Sequence, residues 1–595
     1  MIRKIALRML AAQIAATLTV SLCMMIDNVI ITRYLGVTGV AAYELANPVL
    51  LVIGAIAGLL ASGIQVACGR SLGAGARDET DRCYSSSIVL SLIISFAFLA
   101  IVVLLRDPLV TLLGSSKSPA LHEPTKQYMI GFASGAPGSM FALVLAPFMQ
   151  MAGQSGLLLV AVLGMTVADI GFDLLAVNVL GTVEEKMLGI GLASSASYYV
   201  AVLIGLTYFL SRRRCAFHFS RRLVSGAKML ELFRDGLPLA VSSAASVVLV
   251  FVLNQLLLRS GGDTAVAAYA IISSIGNAAN AISTGTGGVS LTLTGIFHSE
   301  QDRTSLRAVV RLLCRMGVVM GLTMGVLLGV FAPRLIDIFL PERNATHTLA
   351  VTGLRLFALG LIPCCINNAL KSYYQGIGRV ALMEIYAVAE SGLFPALAAF
   401  VLSLIGGPEL ILLQFIAGQV MALGAITLYT RFRSRAKAPE FLLLQDDDFG
   451  AGADSVMEAD ISEMKDVTSV AEAAERFCEA RGESRLFANR IALCVEEMGA
   501  NVVQYGFEPG KKNHLSIRIL RKDGQWVLRF RDDCAAFDPV SYVPPEDRAN
   551  TSGIRMVLRM ADDVRYVSSL NLNNLTVILR EKAENAEKAA VPASV

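Results

Sequence analysis

Between Ala11 and Tyr429 the chain repeats one pattern: an apolar stretch, a short polar interruption, then another apolar stretch. Each stretch is about 20 residues long, the length a helix needs to cross a bilayer. About twelve can be placed, near 11–32, 45–68, 86–105, 128–151, 157–179, 188–210, 232–258, 266–290, 308–331, 350–373, 382–404 and 410–430. A basic exit follows at Arg431-Phe-Arg-Ser-Arg435-Ala-Lys437, then an acidic, Gly-containing stretch from Asp446 that reads as a linker. From about Asp454 to Lys582 the pattern changes to the alternation of a water-soluble α+β unit. The last stretch, 583–595, reads as a frayed tail.

Composition agrees with this division. Apolar residues make up 54% and charged residues only 17% of the 595 positions, against roughly 25% charged in soluble domains. Mean hydropathy is +0.60. Disorder, a collagen-like rod and a small disulfide scaffold are excluded. The ten cysteines show no metal-ligand spacing, and most sit in apolar runs as small hydrophobes. No cleavable signal peptide is evident, and nothing points to nucleic acid as a partner.

The net charge of +3 is unevenly distributed. One side of the span series collects Arg3, Lys4, Arg8, Arg70, Arg77, Arg82, Arg212, Arg213, Arg214, Arg221, Arg222, Lys228, Arg303, Arg307, Arg379 and the 431–437 cluster. The other side has isolated charges such as Arg33, Arg106, Lys117, Lys126, Lys186, Arg259 and Arg343. Cytoplasmic loops carry the Lys/Arg excess. An even number of spans therefore places both termini and the soluble unit in the cytoplasm, with the chain in the cell membrane.

The apolar region is doubled. Val40-Ala-Ala-Tyr43 recurs 226 positions later as Val266-Ala-Ala-Tyr269, and the same offset pairs Gly69 with Gly295 and Pro137 with Pro363. An offset of 225 pairs Pro108 with Pro333, Gln150 with Gln375 and Gly153 with Gly378. Six spans per copy give two lobes of like orientation, 1–225 and 226–436, with the linker at 437–453 and the soluble unit at 454–582. Repeated lobes around a central path are a transporter architecture.

The run Asp27-Asn-Val-Ile-Ile-Thr-Arg-Tyr-Leu-Gly36, followed by Val40-Ala-Ala-Tyr-Glu-Leu-Ala-Asn-Pro48, resembles the opening of the multidrug and toxic compound extrusion (MATE) family. So does Gly63 to Gly69 leading into the basic loop Gly73-Ala-Gly75-Ala-Arg77. The resemblance covers about residues 10–435. It implies a twelve-helix antiporter whose two bundles alternate access and expel organic, often cationic, solutes against an inward flow of H⁺ or Na⁺. Transport itself then needs no cofactor.

Charges inside hydrocarbon are expensive and mark function. Asp27 lies in the first stretch; Asp169 and Asp173 lie in the fifth, spaced i, i+4 on one helix face. Closely held carboxyls resist joint ionisation, and their oxygens suit a proton or a hard cation. The family pattern in this helix is Asn-x-x-x-Asp, here Asp169-Ile-Gly-Phe-Asp173, which leaves H⁺ and Na⁺ both open. A hydroxyl from the sixth helix, Ser195 or Ser197, would complete the set. The second lobe has no such acids and offers Asn254, Gln255, Asn277, Asn280, Asn367 and Asn368 along a substrate path. Lys371 and Glu384 read as side chains snorkelling at the cytoplasmic edge. The 21 methionines suit adaptable apolar walls.

In the soluble unit, Glu497 and Asn501 are one helical turn apart, followed by two strand-like segments, Asp532-Asp-Cys-Ala-Ala-Phe-Asp538 and Ser552-Gly553-Ile-Arg. In this order the segments resemble the GHKL ATPase superfamily, most closely the anti-sigma-factor serine kinases. That resemblance implies Glu497 as base, Asn501 as Mg²⁺ ligand, Asp532 as adenine contact and Gly553 in the phosphate-wrapping turn. Cys534 and Ala536 replace two of the family's glycines, so Mg-ATP binding and phosphotransfer stay open. Residues 436–495 contain no His, unlike a histidine kinase, and no GxxxxGK[ST] motif is present. The expected function is secondary efflux with a cytoplasmic domain that binds a nucleotide or a regulatory protein. The alternatives are a membrane-tethered serine kinase or sensor, and a lipid-precursor flippase.

Overall fold

The computed structural model describes residues 2–113, 121–210, 217–340, 343–434, 440–444, 449–450, 455–522, 524–542 and 552–581. Most of the expected linker, the tail, Lys117 and Arg212, Arg213 and Arg214 fall outside them. An all-helical region is followed by an α+β domain, as the change in residue pattern predicts.

The helical region opens with α1 (Ile2–Gly73), a 72-residue helix broken by Gly36, where φ is 62° and ψ is −156°. The expected spans 11–32 and 45–68 are its two arms. Next come α2 (Arg77–Leu104), α3 (Arg106–Leu112), α4 (His122–Ala133), α5 (Ala136–Met151), α6 (Ser155–Val179) and α7 (Val183–Phe209). The second lobe begins with α8 (Gly226–Ala279), broken at Gly262, then α9 (Ala281–Ser299), α10 (Arg303–Phe339) and α11 (Ala345–Gly376). It closes with α12 (Val380–Val388), a π-helical turn at Ala389–Leu393, α13 (Phe394–Ile405), α14 (Pro408–Ile411) and α15 (Gln414–Arg433).

Among the described residues nine helices are long and apolar enough to cross a membrane. Two bent pairs, α4 with α5 at 45° and the end of α8 with α9 at 41°, raise the number to eleven, and Ile5–Val20 is a shorter apolar helix. The bends explain why spans that read as continuous, 128–151 and 266–290, are each interrupted. Exposed Leu, Val and Phe such as Val167, Leu203, Val247, Val330 and Leu404 face outward, where lipid replaces water as solvent.

The lobes meet at one end of the bundle. Gly69 packs on Gly295, and a Cβ on Gly63 or Gly73 would strike the backbone carbonyl of Leu232 or Ile296. Arg70 Nη1 pairs with Asp235 at 3.1 Å, and Gln375 Nε2 donates to Ser62 Oγ at 2.8 Å. Small residues permit the close approach that packs helices in lipid.

In the C-terminal domain, β1 (Val456–Ile461) precedes α16 (Met464–Glu479) and α17 (Arg485–Asn501). Then come β2 (Leu515–Lys522), β3 (Gln525–Asp532), α18 (Ser552–Met560), β4 (Asp563–Ser569) and β5 (Leu572–Leu579). The antiparallel sheet has the order β1-β2-β3-β5-β4. On β3 the buried residues Trp526, Leu528 and Phe530 alternate with Arg529 and Arg531. The apolar set joins Phe487, Ile491 and Val495 of α17 and Val470 and Ala474 of α16 in one core. Full burial of each large side chain contributes about 1.5–3 kcal/mol.

Candidate functional site

Asp27 of α1 and the Asp169/Asp173 pair of α6 converge inside the first lobe. Asp173 is fully buried and Asp169 nearly so. Both oxygens of Asp173, with Asp27 Oδ1 and Asp169 Oδ1, are buried without a hydrogen-bond partner. Cys23, one turn before Asp27, donates from Sγ to Asp169 Oδ2 at 3.1 Å. Its sulfur and one oxygen each from Asp27 and Asp169 lie within 4.8 Å of one another. No Lys or Arg is ion-paired to these acids among the described residues. A buried, unpaired carboxylate costs several kcal/mol, so this group calls for added positive charge, as protons or as a small cation.

The two serines of α7 take different places. Ser197 lies beside Asp169 together with Ser194, and its hydroxyl donates to the Ser194 carbonyl at 2.8 Å. Ser195 instead donates to the Gly131 carbonyl at 2.6 Å, joining α7 to α4.

In the second lobe a cavity of about 310 Å³ is lined by Asn280, Ser283, Asn368, Lys371, Glu390 and Gln419, among others. Asn368 donates to Ser283 Oγ at 2.5 Å. Asn367 is fully buried and locked, donating to Gln419 Oε1 and accepting from Tyr386 Oη, each at 2.8 Å. Asn254, Gln255 and Asn277 do not line this cavity; Gln255 and Asn277 are exposed. Lys371 is no edge residue reaching for water. Its ammonium pairs with Glu390 at 2.9 Å, with the two side chains 12% and 6% exposed. Glu390 sits in the π-helical turn, a local insertion that re-aims side chains and is frequent at functional sites. The pair was hidden in the sequence because its members lie 19 residues apart on different helices.

The C-terminal domain holds a cavity of about 800 Å³ lined by Met498, Asn501, Tyr505, Asp532, Cys534, Tyr566 and Asn573, among others. Asp532, at the end of β3, accepts from Asn573 Nδ2 at 2.7 Å and from the Cys534 amide at 3.0 Å. Burial holds its carboxyl above the ordinary range, and these hydrogen bonds oppose without cancelling. Burial, with Asp532 beside it, pushes the Cys534 thiol up to about 12, so this thiol stays protonated and unreactive. Tyr566 donates to Asn573 at 2.7 Å. Gly553 begins α18 against α17: a Cβ there would overlap the Glu497 carboxylate. The volume and the buried acceptor fit the nucleoside end of a nucleotide. Asn501 lines the cavity and would hold Mg²⁺, while Glu497 abuts Gly553 and is not among the lining residues.

Comparison with known proteins decides the family. The MatE family model matches residues 13–175 and again 238–401, the two halves of the doubled region. The chain belongs to the MatE family. This MatE chain carries in addition a match to the histidine kinase-like ATPase domain over residues 461–579. Its helical fold is that of solved MATE structures. One is a MATE crystallised in complex with MaL6, at 20% identity over 73% of this chain and 96% of that one, TM-score 0.67. The same figures hold for a MOP superfamily transporter from Pyrococcus furiosus. A multidrug resistance MATE family transporter in an outward-facing conformation follows at 20% identity, the same coverage and TM-score 0.66. No curated protein matches significantly. The chain is thus a multi-pass membrane transporter with an ATPase-like C-terminal domain.

Proposed function

We propose that this MatE protein is a secondary efflux transporter that exports organic or cationic solutes by H⁺ or Na⁺ antiport. The observation that carries this reading is the convergence of Asp27, Asp169 and Asp173 with four buried, unpartnered carboxylate oxygens. A site that needs positive charge when closed and can release it when open couples an ion to alternating access. The two lobes, 1–225 and 226–436, supply the moving halves, and the polar second-lobe cavity supplies a place for solute. The Lys/Arg asymmetry supports a cytoplasmic location for both termini and for residues 454–582. There the Asp532 cavity favours an adenine nucleotide as regulatory ligand, with energy for export taken from the ion gradient.

The test is export from reconstituted vesicles under separately imposed H⁺ and Na⁺ gradients. Export driven by one of them without ATP supports the reading. Export that proceeds with no ion gradient and requires ATP hydrolysis overturns it.

A further inference from the structure

The outer face of the C-terminal sheet is built to be covered. A solvated face would carry scattered polar residues, but here Arg518, Arg529 and Arg531 stand together and point into the end of the bundle where the lobes meet. Arg531 pairs with Glu300 at 2.5 Å and lies over the Phe297 ring. Arg529 donates to the Glu300 carbonyl, and Arg518 pairs with Asp302, which is 4% exposed. All these partners belong to the second lobe, in the last turn of α9 and the α9–α10 connection.

The first lobe is held by the edge strand β4 and by the loop after β3. Arg565 of β4 donates to the Ala74 carbonyl at 3.1 Å, and Arg77 pairs with Asp538 at 3.0 Å. The β4–β5 turn has left-handed backbone at both central residues, Leu570 (φ 57°) and Asn571 (φ 59°). Such turns favour Asn or Gly and penalise a branched apolar residue. Leu570 nevertheless occupies the first position and is 5% exposed. Its amide donates to the Met151 carbonyl of the first lobe at 2.6 Å, while its side chain joins the buried apolar cluster that contains Met9 of α1 and Ile296 and Phe297 of the second lobe. Asn571 rests on Gly153, itself left-handed at φ 77° and with no room for a Cβ. One turn thus touches both lobes at their junction.

We propose that the C-terminal domain is a clamp whose partner is the pair of lobes themselves: docked, it holds their cytoplasmic ends together and so favours the outward-open form. Opening that end would separate Met151 from Phe297 and pull Leu570 from one of its seats, while Arg531 holds the domain to the second lobe and Arg565 holds it to the first. This inference rests on the alternating-access reading above.

Hydrogen–deuterium exchange on the full chain in lipid nanodiscs tests it. Arg531→Glu and Glu300→Arg should each raise exchange both in β3–β5 and in the interlobe segments 58–73 and 288–299. The double swap, with the charges exchanged, should restore protection. Leu570→Asn suits the turn's backbone better, so it leaves the hairpin folded while removing the wedge; it should raise interlobe exchange as well. Unchanged interlobe exchange in Leu570→Asn and both charge reversals overturns the clamp, as does loosening of the sheet alone. Exchange reads lobe closure directly, so a failure of gradient-driven export would count against the transport reading and leave this result standing.

Discussion

Gly36 and Gly262 adopt one backbone conformation, φ 62° with ψ −156° and φ 63° with ψ −155°, at equivalent points of two long helices. They are 226 positions apart, the offset that relates Val40–Tyr43 to Val266–Tyr269. The duplication therefore extends from residue identity to the dihedral angles that break each helix. This region of backbone space is open to glycine almost alone. Neither glycine has a neighbour within 4 Å of where a Cβ would sit, so the conformation rather than crowding requires glycine.

Gly36→Ala and Gly262→Ala should each destabilise the fold by about 1–3 kcal/mol. With no steric clash to add, the two costs should be similar, and thermal unfolding in detergent measures them. A loss well beyond this range at one site would point to a packing role that the geometry does not contain.

Asp27→Asn and Asp173→Asn should reduce ion-driven export to background while leaving the protein folded. Each removes an ionisable group from the unpartnered cluster and replaces it with a near-isostere, so the apolar surroundings are kept. Export in vesicles and melting temperature are read side by side. Normal export by both variants would remove the cluster from the coupling mechanism.

Much of this is legible in the sequence. Asp27, Asp169 and Asp173 stand out because charge in an apolar run is costly, and the doubled Gly and Pro positions stand out because backbone geometry, unlike apolar identity, is hard to substitute. Cys23 was not legible: in a hydrophobic stretch a thiol looks like filler, and only the packing of α1 against α6 brings it to Asp169. The docking role of Arg518, Arg529 and Arg531 is not legible, since alternation says which residues face away from the core and not what covers them. The amides of the second lobe read alike in sequence, yet packing buries Asn367, exposes Gln255 and puts Asn280 and Asn368 on a cavity.

Lys371→Ala should destabilise the second lobe by about 3–5 kcal/mol, because it leaves the Glu390 carboxylate buried without its partner. Replacing both members, Lys371→Met with Glu390→Gln, should recover most of that loss, since the desolvation cost of the pair disappears with its attraction. Thermal unfolding of the three proteins gives the stability comparison. If the cavity takes solute, the double variant should keep its fold and change the range of compounds exported.

Nucleotide binding by the C-terminal domain should depend on pH through Asp532. Its carboxyl accepts a hydrogen bond from a base more strongly when ionised, and burial raises its pKa above the ordinary carboxylate range. Affinity for Mg-ATP should therefore fall as pH drops through that raised value, at a higher pH than an exposed aspartate would require. Stability runs the other way. A carboxyl with a raised folded-state pKa contributes stability fully below its unfolded value, and loses it as pH rises through the folded value. The nucleotide-free protein should thus lose stability over the same interval in which it gains affinity. Asp532→Asn should flatten both profiles, and Asn501→Ala should weaken Mg-ATP binding by removing the proposed Mg²⁺ ligand without moving the pH midpoint. Calorimetric titration and thermal unfolding of the full chain across this range supply both curves. An affinity profile unchanged by Asp532→Asn would show that the cavity recognises its ligand through other groups.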